Sequence, residues 1–309
     1  MALINTARIE LAGRGNSQAP SQERRLGLTL ALVGLLLATI TLIANLVAGS
    51  AWGDGESVAN ILPWSFGVTT LAFGTVKLGI AVVLVGILVR LYMRIEAVKE
   101  SLPLLMANVN GDRHTPLGDY DSPFGPATAT EKTPRMLPIH TMARRMWAPM
   151  LAMGATALLA GTLVSFNWNS TGSIDALAWT QGLQFLGEGF LLGGISFLLG
   201  SILAAIRTGG SEAQESFGVT VKTLKMPAQA KAFVGLMITG LMLAVAQFVL
   251  YVTYAANGTL DASALSWLGP LRELSLGLLL SGIILALATI AKALGFQFDR
   301  IKQLITTGK

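Results

Sequence analysis

The chain has 309 residues, of which 52% are hydrophobic and 13% are charged, and its formal net charge at pH 7 is +5. Soluble domains carry about 25% charged residues, so this composition excludes an ordinary soluble protein and predicts an integral membrane protein. The absence of cysteine excludes disulfides, thiolate metal sites, iron–sulfur clusters and cysteine nucleophiles.

Six apolar runs are long enough to cross a hydrocarbon core of ~30 Å as helices. They cover about residues 27–49, 66–91, 148–166, 182–206, 232–254 and 271–294. A transmembrane β-barrel would instead show alternating segments of about ten residues, and the sequence contains none. We therefore predict an all-α polytopic protein with six transmembrane helices. The first run exceeds the length of a signal peptide's apolar region and is interpreted as a retained helix.

The basic residues outside these runs predict the topology. They are confined to the two termini and to the connections after the second and fourth helices. The other three connections, about 50–63, 167–178 and 255–266, lack Lys and Arg and carry Asp54, Glu56, Asp175 and Asp261. Cytoplasmic loops hold the excess of Lys and Arg. Both termini are therefore expected in the cytoplasm, at a membrane of the bacterial inner (plasma) type.

A pattern of Leu-x-Trp, nine residues, Gly, four residues and Gly-Ile occurs three times. Its copies are Leu62/Trp64/Gly74/Gly79/Ile80, Leu177/Trp179/Gly189/Gly194/Ile195 and Leu265/Trp267/Gly277/Gly282/Ile283. Each copy begins an even-numbered helix, and Gly34, Gly154 and Gly240 lie near the middle of the odd-numbered helices. The pattern predicts three tandem helical hairpins, 27–93, 148–207 and 232–298. Because they share one orientation, we expect a pseudo-threefold axis along the membrane normal.

The remaining segments are predicted to be cytoplasmic: an N-terminal arm 1–26, a connection 94–147, a connector 208–231 and a tail 299–309. The connection 94–147 begins with a helix-like stretch, 94–106, in which Ile95, Val98, Leu102 and Leu105 recur at helical spacing. It then becomes rich in Pro and Gly. Two interpretations stay open, a surface linker or an extended arm that lies across a partner subunit.

The repeated pattern is interpreted as an interfacial anchor followed by a packing face. Trp prefers the membrane interface, and small residues let transmembrane helices approach closely. The predicted anchors are Trp52, Trp64, Trp168, Trp179 and Trp267. The predicted packing residues are Gly74, Gly79, Gly86, Gly189, Gly193, Gly194, Gly277 and Gly282. The alternative is that these glycines line a substrate path.

Lys77 and Glu188 are charged residues within predicted transmembrane helices, where such residues are functional candidates. Glu188 lies nine residues past Trp179 and Lys77 lies thirteen past Trp64, which places them about 13 and 20 Å deep. Side chains tilt toward the helix N-terminus, so the Lys77 ammonium is carried back toward the midplane. We expect a Lys77–Glu188 ion pair, which either neutralises the two charges structurally or forms a proton or ion relay.

The other polar residues form no recognisable catalytic, haem or metal site. Arg272 and Glu273 are expected near the outer interface, where snorkelling and local pairing suffice. His114 and His140 both lie in the connection 94–147, and the group around His114 (Asp112, Asp119 and Asp121) matches no ligand spacing. Phosphate-loop, dinucleotide-binding, zinc-protease and hydrolase motifs are also missing. The sequence predicts no enzyme activity, no cofactor and no metal.

Three tandem hairpins with both termini on one side resemble the mitochondrial carriers in architecture. Those proteins carry a Pro-x-Asp/Glu-x-x-Lys/Arg signature at the end of each odd helix. The corresponding stretch Ala44-Asn45-Leu46-Val47 lacks it. The resemblance is therefore one of architecture only.

Two functions are compatible with these patterns. The favoured one is a non-catalytic integral membrane subunit, or an accessory or assembly protein, of a larger membrane complex. The alternative is a small-solute or ion transporter or channel that uses Lys77 and Glu188, with Asn45 and Gln247 as weak additions. Transporters need several polar groups near the midplane. The expected partners are the lipid bilayer and other membrane subunits or further copies of the chain, and no nucleic acid.

Overall fold

A computed structural model describes residues 22–50, 64–89, 91, 129–130, 138–216, 221–224 and 226–307. It contains six long helices: α1 (Gln22–Ser50), α2 (Trp64–Val89), α3 (Pro138–Thr171), α4 (Ile174–Ser216), α5 (Ala228–Asn257) and α6 (Ala262–Thr307). Two short strands, β1 (Ala129–Thr130) and β2 (Thr223–Leu224), complete the described elements. All six helices are long and apolar enough to span a membrane. The prediction of an all-α protein with six transmembrane helices is confirmed.

The later helices extend well beyond the apolar runs that revealed them. α4 has 43 residues and α6 has 46, so each is roughly twice as long as a ~30 Å core requires. α3 begins at Pro138, inside the predicted connection, and the expected loop 167–178 is almost entirely helical. Hydropathy detects the part of a helix that lies in hydrocarbon. It does not detect polar turns that continue the same backbone hydrogen bonding on either side.

Very short turns join the helices of the second and third hairpins. Only Gly172 and Ser173 separate α3 from α4, and Gly172 adopts φ 64°. Gly258, at φ 61°, ends α5, and the Asp261 carboxylate accepts a 2.7 Å hydrogen bond from the Ala264 N–H at the start of α6. Left-handed backbone is cheap only for glycine. These turns force the paired helices to run antiparallel.

The bundle is organised around α4. In its most apolar stretch α4 is 83% buried, whereas α2 and α3 are 33% and 39% buried, α5 and α6 are both 28% buried, and α1 is 17% buried. α4 contacts α3, α5 and α6, and Leu191 on α4 also lies close to Gly74 on α2. α1 lies at the periphery and packs on α2 through Gly27 and Gly34. The three repeats therefore occupy unequal positions.

Within each hairpin, the same helix contact recurs. The mid-helix glycine of the odd helix lies against the residues eight and twelve positions after the repeat Trp. These contacts are Gly34 with Ala72 and Val76, Gly154 with Gly187 and Leu191, and Gly240 with Ser275 and Leu279. Because glycine has no side chain, the two helix backbones come close at this point. How the three hairpins are arranged about an axis stays a prediction.

The glycines of the repeated pattern have different neighbours. A Cβ added at Gly74 would clash with Leu158, and one added at Gly189 would lie 2.7 Å from the Ala244 Cβ. Nothing described lies within 4 Å of the position a Cβ would take at Gly277. No described atom packs closely against Gly277, so its packing role stays a prediction.

The other predicted packing glycines behave as expected to different degrees. Gly79, Gly193 and Gly194 are tight, with neighbouring atoms 2.6–2.7 Å from an added Cβ, whereas the nearest atom to Gly282 is at an ordinary 3.6 Å. Gly86 is buried. Among the even-numbered helices, close packing through glycine is thus concentrated on α2 and α4.

Among the described residues, a short strand ties the connection 94–147 back to the chain's own bundle. β1, from this connection, pairs antiparallel with β2, with Ala129 opposite Leu224 and Thr130 opposite Thr223. The Gln214 side chain fixes β2 further by bonding the Lys222 N–H and C=O at 2.7 and 2.8 Å. The helix-like stretch 94–106, the residues 107–128 and 131–137 of the connection, and the N-terminal residues 1–21 lie outside the described residues.

We expect Gly154→Ala to destabilise the bundle, because the added Cβ would lie 2.9 Å from the Gly187 carbonyl oxygen and the Leu191 nitrogen. Backbone atoms cannot move aside as a side chain can. Gly277→Ala is the matched control, since its Cβ meets open space and Ala is favoured over Gly in a helix by about 1 kcal/mol. Thermal unfolding of the two purified variants in detergent measures the difference. Equal midpoints would contradict the close α3–α4 approach.

Candidate functional site

Three charged side chains meet inside the bundle, one from each even-numbered helix. The Lys77 ammonium, on α2, donates to Glu188 Oε1, on α4, at 2.9 Å. The Arg272 guanidinium, on α6, donates through Nη2 to Glu188 Oε2 at 2.8 Å. The Glu188 side chain is 6% exposed. The structure thus brings the two predicted intramembrane charges together and adds a third, and we call these residues the charge cluster.

The repeat register explains how the three side chains meet. Lys77 lies thirteen residues past its repeat Trp, Glu188 nine and Arg272 five. Each step of four residues corresponds to ~6 Å of helix rise. The Lys and Arg side chains are long enough to span these distances, and each bonds a different oxygen of the carboxylate.

The expected placement of Arg272 at the outer interface, with only local pairing, is wrong. Its position was judged from its depth alone, whereas its length lets it reach four residues deeper to Glu188. The neighbouring Glu273 is exposed and stays outside the cluster. The equal spacing of the three charges in the repeat register is the sequence signal that identifies Arg272.

The charge cluster carries one positive charge in excess and more donors than acceptors. Each Glu188 oxygen receives one bond, while Arg272 Nε is buried without a hydrogen-bond partner among the described residues. The Phe66 ring, 5.9 Å from Arg272 Cζ, offers a cation–π contact. Such a contact compensates little of a buried charge. The spare hydrogen-bond donors of the cluster can therefore bind an anion or an ordered water molecule.

A column of polar side chains leads from the start of α4 to the charge cluster. Thr180, Gln184 and Glu188 are spaced by four residues and share one helix face. Thr180 and Gln184 are fully buried, and the Thr180 hydroxyl and both Gln184 amide atoms have no hydrogen-bond partner among the described residues. Gly67 leaves room for Gln184, whose Nε2 would lie 3.3 Å from an added Cβ. Unpaired buried polar atoms are costly, so this column fits an aqueous or ligand path.

Polar contacts between helices also concentrate in this half of the bundle. The Tyr251 hydroxyl, on α5, bonds Gln181 Oε1 on α4 at 2.8 Å. Gln247, also on α5 and fully buried, donates to the Leu268 carbonyl on α6 at 2.6 Å. These bonds hold α5 against α4 and α6 around the column. Gln247 therefore supports the neighbourhood of the site, and the side chain of Asn45 lies outside the described residues.

Beyond Glu188 the buried side chains of α4 are mostly apolar. They include Leu191, Leu192, Ile195, Leu198, Leu199 and Ile202. The hydroxyls of Ser196 and Ser201 are buried there too, but each donates to its own helix, at 2.9 and 3.0 Å. The polar column therefore ends at the charge cluster.

The described Trp residues that are predicted to be interfacial anchors lie near helix ends, and their anchoring role stays a prediction. Trp64 and Trp168 are half-buried, while Trp179 and Trp267 are 40% and 42% exposed. The Trp179 ring makes an edge contact with Phe248 at a centroid distance of 6.4 Å. Trp52, together with Asp112, His114, Asp119 and Asp121, lies outside the described residues. Among those described, no group of three or more His, Asp or Glu residues could hold a metal ion.

Comparison with family models, with curated proteins and with solved structures finds no match to this chain. Function must therefore be inferred from the site itself.

Removing the carboxylate of the charge cluster should cost more than removing one cation. Glu188→Gln leaves two cations without a counter-charge, and breaking a buried ion pair in this way costs about 3 kcal/mol or more. Lys77→Met instead leaves a neutral Glu188–Arg272 pair and should cost about 1 kcal/mol or less. The combined Lys77→Met/Arg272→Met variant leaves the Glu188 carboxylate buried without a cation, so it should also be strongly destabilised. Thermal unfolding in detergent ranks the three, and a stable Glu188→Gln beside an unstable Lys77→Met would refute this account.

Proposed function

We propose that the protein is a transporter or channel for a small anionic solute, with Lys77, Glu188 and Arg272 forming its intramembrane binding site. The observation that carries this proposal is the excess positive charge of the cluster at the end of a buried polar column. A bare charge within the hydrocarbon layer costs several kcal/mol. An anion arriving along the column removes that cost.

The charge cluster supplies the convergent polar groups that transport sites require. Lys77 and Glu188 alone form a neutral pair, which favours a structural role. Arg272 changes the balance, because its unpaired Nε and the unpaired atoms of Gln184 and Thr180 provide spare hydrogen-bonding capacity toward a ligand. This third charge favours the transport function over the accessory-subunit function.

Glu188 holds the two cations in place when no solute is bound. An entering anion competes with the carboxylate for Arg272 and Lys77. Protonation of Glu188 would weaken its hold on both cations and leave them free for the anion. Anion binding and proton uptake would then be coupled through the Glu188 side chain, which would act as the proton relay.

We further propose that the basic residues face the cytoplasm, together with both termini, at a membrane of the bacterial inner type. The distribution of Lys and Arg supports this orientation. The polar column would then open to the outside, while the apolar packing of α4 beyond Glu188 closes the path inward. Translocation would require the apolar contacts of α4 beyond Glu188 to separate.

Osmotic swelling of proteoliposomes in the potassium salts of the probe anions chloride, nitrate or formate, with valinomycin to carry potassium, tests the proposal. We expect wild-type protein to raise the influx of at least one probe above that of empty liposomes. Arg272→Met should lower it by about tenfold or more, since a contact to a charged group contributes ~1.5 kcal/mol or more. Glu188→Gln should conduct without the pH dependence of the wild type. Glu273→Gln, one residue from Arg272 but exposed, is the matched control and should behave as wild type.

If no probe crosses faster than through empty liposomes, or if Arg272→Met and Glu273→Gln conduct alike, the transport function is wrong.

A second candidate is the non-catalytic subunit or accessory protein of a larger membrane complex. It is supported by the peripheral position of α1, which is 17% buried and leaves Leu28, Leu35 and Leu36 exposed. This surface faces either lipid or a helix of another subunit. The dry inner half of α4 also suits a rigid structural element.

Purification in mild detergent distinguishes the two candidates. A subunit should carry a stoichiometric membrane partner, and Leu35→Trp on the exposed face of α1 should release it by steric conflict. Leu159→Trp, on an exposed position of α3, is the matched control and should retain it. Isolation of the wild type as a lone, monodisperse species would contradict the subunit function.

A further inference from the structure

A two-lobed cleft opens at the end of the bundle that carries the basic connections. It lies between α3, α4, α5 and α6, beside β2, and its two lobes contain about 430 and 490 Å³ of space when the open solvent at their mouths is included. The lobes share His140, Leu203, Met226 and Ala230, so they lie side by side. The charge cluster is not part of it.

The deeper lobe is suited to a hydrocarbon chain. Phe197, Phe233, Val234 and Met237 form its walls. Ser196 also lines this lobe, but its hydroxyl is already bonded to the Leu192 carbonyl at 2.9 Å. An apolar ligand therefore meets no unsatisfied polar atom on this side.

The shallower lobe is cationic and has unused hydrogen-bonding groups. Arg207 lines it, half-buried, and its Nε is buried without a hydrogen-bond partner among the described residues. Arg207 and Arg144 both act electrostatically on the His140 ring. No carboxylate occurs among the described residues that line either lobe. This lobe is therefore ready to accept an anionic group.

The depths of the two lobes match the depths of the acyl chains and of the phosphates in one lipid leaflet. Counted from Trp179 at one interface, Phe197 lies eighteen residues along α4 and Arg207 twenty-eight, which is ~27 Å and ~42 Å. The hydrocarbon core is ~30 Å thick and the bilayer with headgroups is ~40–45 Å. The apolar lobe thus ends within hydrocarbon, and Arg207, whose side chain tilts back toward the membrane, lies at the depth of the phosphates.

We propose that this cleft binds one anionic phospholipid, with its phosphate on Arg207 and His140 and one acyl chain in the lobe of Phe197, Phe233 and Met237. Basic pockets between transmembrane helices are suited to such headgroups. The bound lipid contacts four helices and joins the second hairpin to the third. The site does not depend on the transport function, because it shares no residue with the charge cluster.

Native mass spectrometry of the full chain, delipidated and titrated with dioleoyl phosphatidylglycerol or dioleoyl phosphatidylcholine, tests the proposal. We expect one phosphatidylglycerol to be retained in preference to phosphatidylcholine, and to raise the thermal midpoint by about 5 °C at saturation. Arg207→Gln should weaken phosphatidylglycerol binding by about tenfold or more, and Arg207→Lys should weaken it less. Arg145→Gln removes the same charge from an exposed position on α3 and should leave binding unchanged.

Two further ligands distinguish a lipid-binding site from a site for other anions. Inorganic phosphate and the short-chain dihexanoyl phosphatidylglycerol should each bind more weakly than the dioleoyl lipid, because neither fills the apolar lobe. Equal stabilisation by inorganic phosphate would identify a site for a free anion and overturn the proposal. Equal losses of binding in Arg207→Gln and Arg145→Gln would show only a diffuse charge effect and would overturn it too.

Discussion

The Glu188 carboxylate constrains the rest of this structure. It lies on the most deeply buried helix, where an unpaired negative charge would cost many kcal/mol. Lys77 and Arg272 remove that cost, each from a different neighbouring helix and each to a different oxygen. The bundle can therefore assemble only when α2, α4 and α6 stand in a register that brings these three side chains to one level.

The glycine contacts make that register possible. In every hairpin an odd-helix glycine lies against the residues eight and twelve positions after the repeat Trp, so the two backbones approach closely and cannot slide. The three hairpins are built alike internally but are not buried alike. α4 takes the centre and α6 presents Gly277 to open space. The repeats also differ at positions 77, 188 and 272, whose charged side chains meet.

The interior is divided along the membrane normal. On the side of the short turns, Thr180, Gln184, Gln247 and Tyr251 place polar atoms between the helices. On the other side, α4 packs through apolar residues and leads to a cleft in which Arg207 Nε has no hydrogen-bond partner among the described residues. An anionic solute and an anionic lipid would thus bind at opposite ends of one central helix, separated by its dry segment.

The sequence by itself determined the class of the protein, its six helices, the hairpin unit and the pairing candidates Lys77 and Glu188. These follow from hydropathy, from a repeat without gaps and from depth counted along a helix, all of which are local properties. Only the tertiary structure decided that α4 is central, that Arg272 joins the cluster, that Gly277 packs against nothing described, and that β1 returns to β2. Those features depend on which helix faces which neighbour. A single sequence does not encode that choice in its periodicity, because in a bilayer an apolar face fits lipid and protein equally well.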